Sequence, residues 1–336
     1  MNGMAGSSGR QTFSKEQLVQ DLKRMGICQG DSVAVTLSFK SVGLVEGGPE
    51  GFLDALLQTV GPQGTIMMNT FTLDFPISEI SSKFIFDPSS TVPYTGVVPI
   101  TLLNRKGALR SRHPVCSVVS FGRFAKFLTE EHNEKSKPYL PYAKLAQIEG
   151  KYLCIGIGNE LVAIRHEAQY QAMVPTFLRC GVQYKSEIGE TSLFVWEHPP
   201  CEKNLSYLVP KIENLGLIQH GTVGQASALV ASAADLIRSM SWMLRKDLTL
   251  NQCGDILCLQ CRELERRLKL WKNIANPAFF QRSSIMRRAL GFRNSFLLLK
   301  KHSRLLIRDS SHETSLHKAM EICFRYFARF LVRVLK

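Results

Sequence analysis

Gly64-Thr65-Ile66-Met67-Met68-Asn69-Thr70-Phe71-Thr72 is the stretch whose reading decides the fold. A glycine turn opens a run of apolar and β-branched residues that is too short for an ordinary helix and closes on hydroxyls. That is the pattern of a short buried strand over residues 65–71. Just upstream, Pro49 opens a helix at its first position, where the missing N–H costs nothing; Phe52, Leu53, Leu56 and Leu57 form its apolar face and Gly61 ends it. Residues 32–38 alternate as a strand after the Gly30-Asp31 turn. Ser14 and Gln17 form a capping box for a first helix, with Leu18, Leu22 and Met25 on one face and Gly26 as its stop. Downstream, residues 118–121 and 152–157 read as strands with residues 124–128 helical between them. Residues 194–196 read as another strand, and residues 225–244 as one long apolar-rich helix. Strands separated by amphipathic helices predict an α/β protein. The expected architecture is a three-layer α/β/α fold with a mixed central sheet, plus a basic helical C-terminal extension.

With 336 residues, 45% hydrophobic, the chain can bury a sizeable core. Met1 to Arg10 are small and polar, without the apolar segment of a signal peptide. No uninterrupted apolar run approaches the roughly 18–20 residues of a membrane span. The nine cysteines are an odd number along a leaderless chain, so reduced thiols and a cytoplasmic location are expected. The net charge of +14 is unevenly placed: residues 272–336 hold 14 Lys/Arg against 3 Asp/Glu, which leaves +3 for residues 1–271. A near-neutral body with a basic tail argues for two functional units.

Open α/β sheets take ligands beyond the carboxyl ends of their strands. Ser38, Thr70 with Thr72, and the segment after residue 157 that carries His166 all fall there. His166 follows a strand and a short loop, near the start of a helix whose N-terminal dipole disfavours imidazolium and keeps the ring able to accept a proton. The alternative is a histidine that caps or packs against the strand. Around these positions stand Gly47-Gly48-Pro49, Phe86-Asp87-Pro88, Thr95-Gly96 and Arg110-Ser111-Arg112-His113-Pro114. In order and spacing they resemble the aminoglycoside N3-acetyltransferase family, over roughly residues 14–245.

The resemblance implies an acyltransferase of the antibiotic-resistance type, with acetyl-CoA as co-substrate and a small amine or amino sugar as acceptor. His166 lies eight residues before Val174-Pro175, the family's offset, and becomes the general base. Ser38, also counted as catalytic, stands near the thioester with Thr70 and Thr72, whose other explanation is ordinary β-propensity. Arg110 and His113 shape the coenzyme or acceptor cleft; otherwise they are a loop ion pair and a proline-fixed turn. Gly47 and Gly48 let backbone amides approach a phosphate. The chain also departs from the family. Gln169 replaces the glutamate of His-x-x-Glu, Val35-Thr36-Leu37-Ser38 replaces Val-His-Ser-Ser, and Ile100 replaces a glutamate that often follows Thr-Gly. Two of these changes remove negative charge from the acceptor side. The competing function is a catalytically degenerate member that serves as a binding or scaffold protein.

Other signals point elsewhere or nowhere. His166-Glu167-x-x-Tyr170 has tyrosine where a zinc protease requires its second histidine, and Gly156-Ile157-Gly158 lacks the third glycine of a dinucleotide fingerprint. Cys253, Cys258 and Cys261 are weak metal candidates, with Cys201 a conceivable fourth ligand; buried thiols in a turn are the simpler reading. Arg325, Arg329, Arg333 and Lys336 recur at helical spacing beside Phe327, Phe330, Leu331, Val334 and Leu335. Such a helix suits an anionic membrane surface, which would place the protein peripherally at the membrane, or an acidic partner protein. Nucleic acid is disfavoured, since no binding module accompanies the charge. The expected divisions are a flexible N-terminus (1–13), an acetyltransferase-like domain (14–250), a cysteine-containing connector (251–271) and a basic helical tail (272–336).

Overall fold

The computed structural model describes residues 11–74, 84–157, 161, 163–174, 176–186, 189–197, 201, 203 and 205–275. The basic tail helix expected over residues 325–336 lies outside them, as does most of the N-terminal segment. The first of two compact units ends at Arg267 and carries the sheet. Among the described residues no helix is long and apolar enough to cross a membrane.

Chain order begins β1 (Thr12–Phe13), α1 (Lys15–Arg24), β2 (Ser32–Leu37), α2 (Phe39–Val42), β3 (Leu44–Val45), α3 (Gly48–Val60) and β4 (Thr65–Asn69). It continues with β5 (Ile85–Phe86), α4 (Val97–Asn104), β6 (Leu109–Arg110), β7 (Val118–Gly122), α5 (Ala125–Thr129), α6 (Leu140–Gln147) and β8 (Lys151–Ile155). Then come α7 (Ile164–Gln171), the hairpin β9 (Phe177–Ser186) and β10 (Gly189–Glu197), and α8 (Leu205–Glu213). A second hairpin, β11 (Gln219–Val223) and β12 (Ala226–Ser232), leads into α9 (Ala233–Lys246), a 3-10 turn (Leu248–Asn251) and α10 (Leu259–Ala275).

Local signals set several of these boundaries. Ser14 caps α1 by accepting from Gln17 N–H, and the Gln17 side chain accepts from Ser14 N–H in return. Gly61 terminates α3. Gly51 is required sterically, because a Cβ there would lie 1.9 Å from the Glu46 carbonyl oxygen.

The seven-stranded sheet has the order β11-β12-β8-β2-β4-β7-β6. β8, β2 and β4 are parallel at its centre, with Val33 opposite Lys151 and Ser32 opposite Thr65. β12 and β7 flank them antiparallel. The sheet is therefore mixed. Side chains alternate across a strand, so Val33, Val35, Ile66, Met68, Leu153 and Ile155 join α1, α3 and α4 in one apolar layer. Ala34, Met67, Tyr152 and Cys154 join α5 to α9 in the other. The result is the expected three-layer α/β/α architecture. A smaller sheet, β10-β9-β5, lies apart from it.

One expectation fails. Residues 225–244 are not a single helix: their first third is β12, paired along its length with β8 and β11. Gly224 and Gln225 make the two-residue hairpin turn, and Ser232 caps α9 by accepting from Asp235 N–H at 3.3 Å. The alanines of β12 favour helix in isolation, but ten ladder partners override that weak preference.

Candidate active site

Because β8, β2 and β4 are parallel neighbours, Ile155, Leu37 and Asn69 end on the same edge of the sheet. Ser38 N–H donates to Ile155 O at 2.9 Å. The Ser41 hydroxyl is within donating distance of both Ser38 Oγ, at 2.9 Å, and Gly156 O, at 3.1 Å. Phe39, the next residue, packs edge-on against Phe52 of α3 with ring centres 5.8 Å apart. Ser38 is thus fixed between the end of β8 and the helix that Gly47 and Gly48 open. Those two glycines adopt left-handed φ values of 71° and 60°, and nothing lies within 4 Å of where a Gly48 Cβ would stand. The first backbone bond at this end is Gly51 N–H to Gly47 O at 3.2 Å, so the amides before it belong to the unsatisfied N-terminal turn that favours anions.

His166 sits in the first turn of α7 and is 4% exposed. Its Nδ1 lies 2.7 Å from Gln169 Oε1; Gln169 Nε2 lies 2.9 Å from Asn251 Oδ1; Asn251 Nδ2 lies 3.1 Å from Leu248 O. The far end orients the whole series. A carbonyl can only accept, so Asn251 donates through its nitrogen and accepts at its oxygen. Gln169 must then donate to Asn251 and accept from the imidazole. The proton is on Nδ1, and Nε2 is the basic nitrogen. Tyr139 stacks on the imidazole at 4.6 Å between ring centres and 24° between planes, and Phe71 meets Tyr139 edge-on at 6.3 Å. Phe71 is the middle residue of Thr70-Phe71-Thr72, so that motif meets His166 through the Tyr139 ring.

Gln169 therefore orients the imidazole through a neutral amide oxygen. Glu167 does not substitute for it. Its Oε1 accepts from Gln171 Nε2 at 3.0 Å, and its buried Oε2 has no hydrogen bond among the described residues. Burial raises its carboxyl pKa, against the opposing pull of the Gln171 bond and the Lys137 charge.

The remaining predicted residues are brought together, but around one another. Arg110 donates through Nη1 to Thr91 O, through Nη2 to Thr70 O at 3.2 Å and through Nε to Ser117 Oγ at 3.2 Å, while its guanidinium lies 5.3 Å from the centre of the Phe86 ring. Burial lowers its pKa to about 10, against the Asp87 charge. Thr70 Oγ1 lies 3.0 Å from Ser117 Oγ, and Thr72 Oγ1 donates to Pro114 O. His113 Nδ1 accepts from Val115 N–H and Cys116 N–H, and its ring stacks on His132 at 4.9 Å. Burial pushes its pKa down to about 3, so it stays neutral. His132 bonds Pro138 O through Nε2 at 3.0 Å and Ser111 Oγ through Nδ1 at 2.9 Å. Thr70, Thr72 and His113 are almost fully buried. The polar groups of these residues clasp residues 70–72 to the loop 110–118, and they meet the surroundings of His166 through Phe71 and through the His132–Pro138 bond beside Tyr139.

Sequence reasoning missed Tyr139, Asn251, Ser111, Ser117 and His132. Asn251 lies 82 residues from Gln169, and no local pattern announces the pair. The cysteines present the reverse case. Cys201 joins Cys253, Cys258 and Cys261 with all four sulfurs within 4.8 Å of one another.

A family model described as "Aminoglycoside 3-N-acetyltransferase" matches residues 35–245. The chain belongs to the aminoglycoside 3-N-acetyltransferase family. Aminoglycoside N(3)-acetyltransferase VII of Streptomyces paromomycinus is 28% identical over 69% of this chain and 92% of its own length. Aminoglycoside N(3)-acetyltransferase III of Pseudomonas aeruginosa is 28% identical over 67% and 92%. Among solved structures, AAC-IIIb in its binary complex with CoASH superposes with a TM-score of 0.64 at 25% identity, covering 70% of this chain and 97% of that one. The AAC(3)-IVa apoenzyme superposes with a TM-score of 0.68 at 23% identity, over 77% and 99%. As a member of this family the chain is an acyltransferase; Gln169 stands beside His166, and Ile100 is half-buried on α4.

Proposed function

We propose that this protein transfers the acetyl group of acetyl-CoA to an amino group of an aminoglycoside, at the 3-N position by family resemblance, or of another amino sugar or small amine. The observation that carries the reading is the Leu248–Asn251–Gln169–His166 series, which fixes one imidazole tautomer with Nε2 as the base. When bound, acetyl-CoA supplies the activated acetyl group. His166 Nε2 takes the proton that the acceptor amine must lose, and the ring moves little in doing so because Tyr139 covers one face. The tight turn at Gly47 and Gly48, with open space over Gly48 and the N-terminal turn of α3 behind it, fits the coenzyme's phosphates; Ser38 stands between that helix and the end of β8.

Acceptor charge follows from the two lost carboxylates. A site with Gln169 and Ile100 in a body of charge +3 holds a polycation poorly, so amino sugars with one or two amines are the preferred acceptors of this reading. The test is acetyl-CoA turnover against a panel running from mono-amino sugars to polyamino aminoglycosides, with His166→Ala alongside. Turnover that His166→Ala abolishes while calorimetric coenzyme A binding persists supports the proposal. Equal inactivity of both proteins, with coenzyme A still bound, identifies a degenerate scaffold member.

A further inference from the structure

The strongest unassigned feature is the cysteine cluster. Cys201 follows β10, Cys253 and Cys258 lie between the 3-10 turn and α10, and Cys261 is in the first turn of α10. The Sγ separations are 3.7 Å for Cys201 to Cys258 and 3.5 Å for Cys253 to Cys261, and no pair of the four exceeds 4.8 Å. A tetrahedral ion with metal–sulfur bonds of about 2.3 Å places its sulfurs about 3.8 Å apart. A disulfide needs about 2.05 Å, far shorter than either pair. A multi-iron cluster spreads its cysteines more widely than one ion does.

Four further observations favour a bound ion over chance packing. These four cysteines form a cluster of their own, with no aliphatic or aromatic member among the described residues, separate from both large cores. A miniature core made only of sulfur has no packing rationale. Cys253 N–H donates to Cys261 Sγ at 3.3 Å, the outer hydrogen bond that metal-bound thiolates commonly accept. Lys203 and Asp255 pair at 3.1 Å, tying the segment of Cys201 to the loop of the other three and setting a cation beside a site of net negative charge. Cys201, Cys253 and Cys261 are buried while Cys258 is partly exposed, which leaves an entry path.

We propose that Cys201, Cys253, Cys258 and Cys261 bind one zinc ion as a structural site of four thiolates. Binding displaces the four thiol protons to solvent and leaves each sulfur as a thiolate ligand, with no change of oxidation state. Zinc suits four soft thiolates in a closed tetrahedron. Three of the four ligands, Cys253, Cys258 and Cys261, lie beyond residues 35–245, the stretch that the family model matches. It also has a consequence for the base. Asn251 stands two residues before Cys253 and closes the hydrogen-bond series that orients His166. The ion anchors the segment that carries it.

Full-length protein purified without a polyhistidine tag, under reducing conditions, is analysed for metals and then exchanged with cobalt. The expected result is one zinc per chain and, with cobalt, an intense thiolate-to-cobalt charge-transfer band with the d–d pattern of a tetrahedral site. Cys258→Ser should lose most of the metal, and Cys28→Ser, at an exposed thiol elsewhere, should lose none. Should Cys258→Ser fail to fold, alkylation of the wild type decides: these four thiols resist modification until a chelator is added. Sub-stoichiometric zinc with all four thiols readily alkylated, two disulfides among them, or stoichiometric iron would each overturn the proposal.

Discussion

His132 and His166 are both buried, both stack on another ring, and both sit in a hydrogen-bond series that a backbone carbonyl orients, yet the two series have opposite outcomes. For His132 the Pro138 carbonyl accepts from Nε2, so Nδ1 must accept from the Ser111 hydroxyl, which in turn accepts from Val118 N–H at 2.9 Å. Both ring nitrogens serve the fold. For His166 the series ends on Nδ1 and makes Nε2 basic. Burial by itself therefore does not give two histidines the same hydrogen-bonding state; the polarity of the series around each ring sets it.

The largest effect that tests this contrast is His166→Ala. On the proposed reading, loss of a positioned base should lower kcat of the folded protein by about 10²–10⁴-fold with coenzyme A affinity near wild type, beside a stability loss from the vacated ring site and the unpartnered Gln169 oxygen. A variant that keeps its turnover but melts early would place His166 with the structural class. His132→Ala should spare turnover. The cavity and the unsatisfied Ser111 and Pro138 groups should cost about 2–4 kcal/mol in urea denaturation, while kcat of the folded fraction changes little.

Acidity gives the next contrast. The folded-state pKa of His113 is near 3, below the ordinary 6.5, and that of His132 is also well below it, in both cases chiefly from burial. The unfolded chain therefore binds these protons first. The associated stability is fully present above pH 6.5; for His113 it is lost as pH falls toward 3, by about 1.4 kcal/mol per pH unit, and His132 acts in the same direction. His113→Asn keeps an acceptor for Val115 and Cys116 N–H but cannot titrate, so its stability should fall less steeply over that window. An unchanged slope in pH-dependent denaturation would show that other groups set the acid limit.

The smallest effect is the most diagnostic for the base. Gln169→Glu restores a carboxylate next to Nδ1 and stabilises imidazolium, so the acid limb of kcat should move up by about one pH unit. An acid limb that stays in place would mean that His166 is not the titrating base.

What was legible in the sequence was what neighbouring residues determine. The Ser14–Gln17 cap, the Gly61 stop and the apolar run of β4 are local patterns with local causes. So was the position of His166 at the start of a helix beyond a strand. The strand at Ala226–Ser232 was not legible, because its alanines and serines point to helix until β8 and β11 pair with it. Tyr139, Asn251 and the place of Cys201 beside the other three cysteines come from distant segments meeting, which spacing cannot report. The Arg110 and His113 motif named the family correctly, while the polar groups of the motif close a loop. A motif can persist because it holds a site's walls as well as because it touches a ligand.

The position of β8 in the sheet has a consequence for how the protein is made. β2 and β4 leave the ribosome early and can pair at once, but β2's other edge waits for residues 151–155, and the Ser41–Gly156 contact spans 115 residues. At translation rates of about 5–20 residues per second, that apolar edge stays open for on the order of ten seconds. β12 must then add outside β8 before the sheet's centre is covered. An open parallel strand edge of this composition is a template for pairing with other chains. Slower synthesis or lower temperature lets fewer such edges meet, and the yield of soluble protein should depend on expression rate more than on the stability of the finished fold.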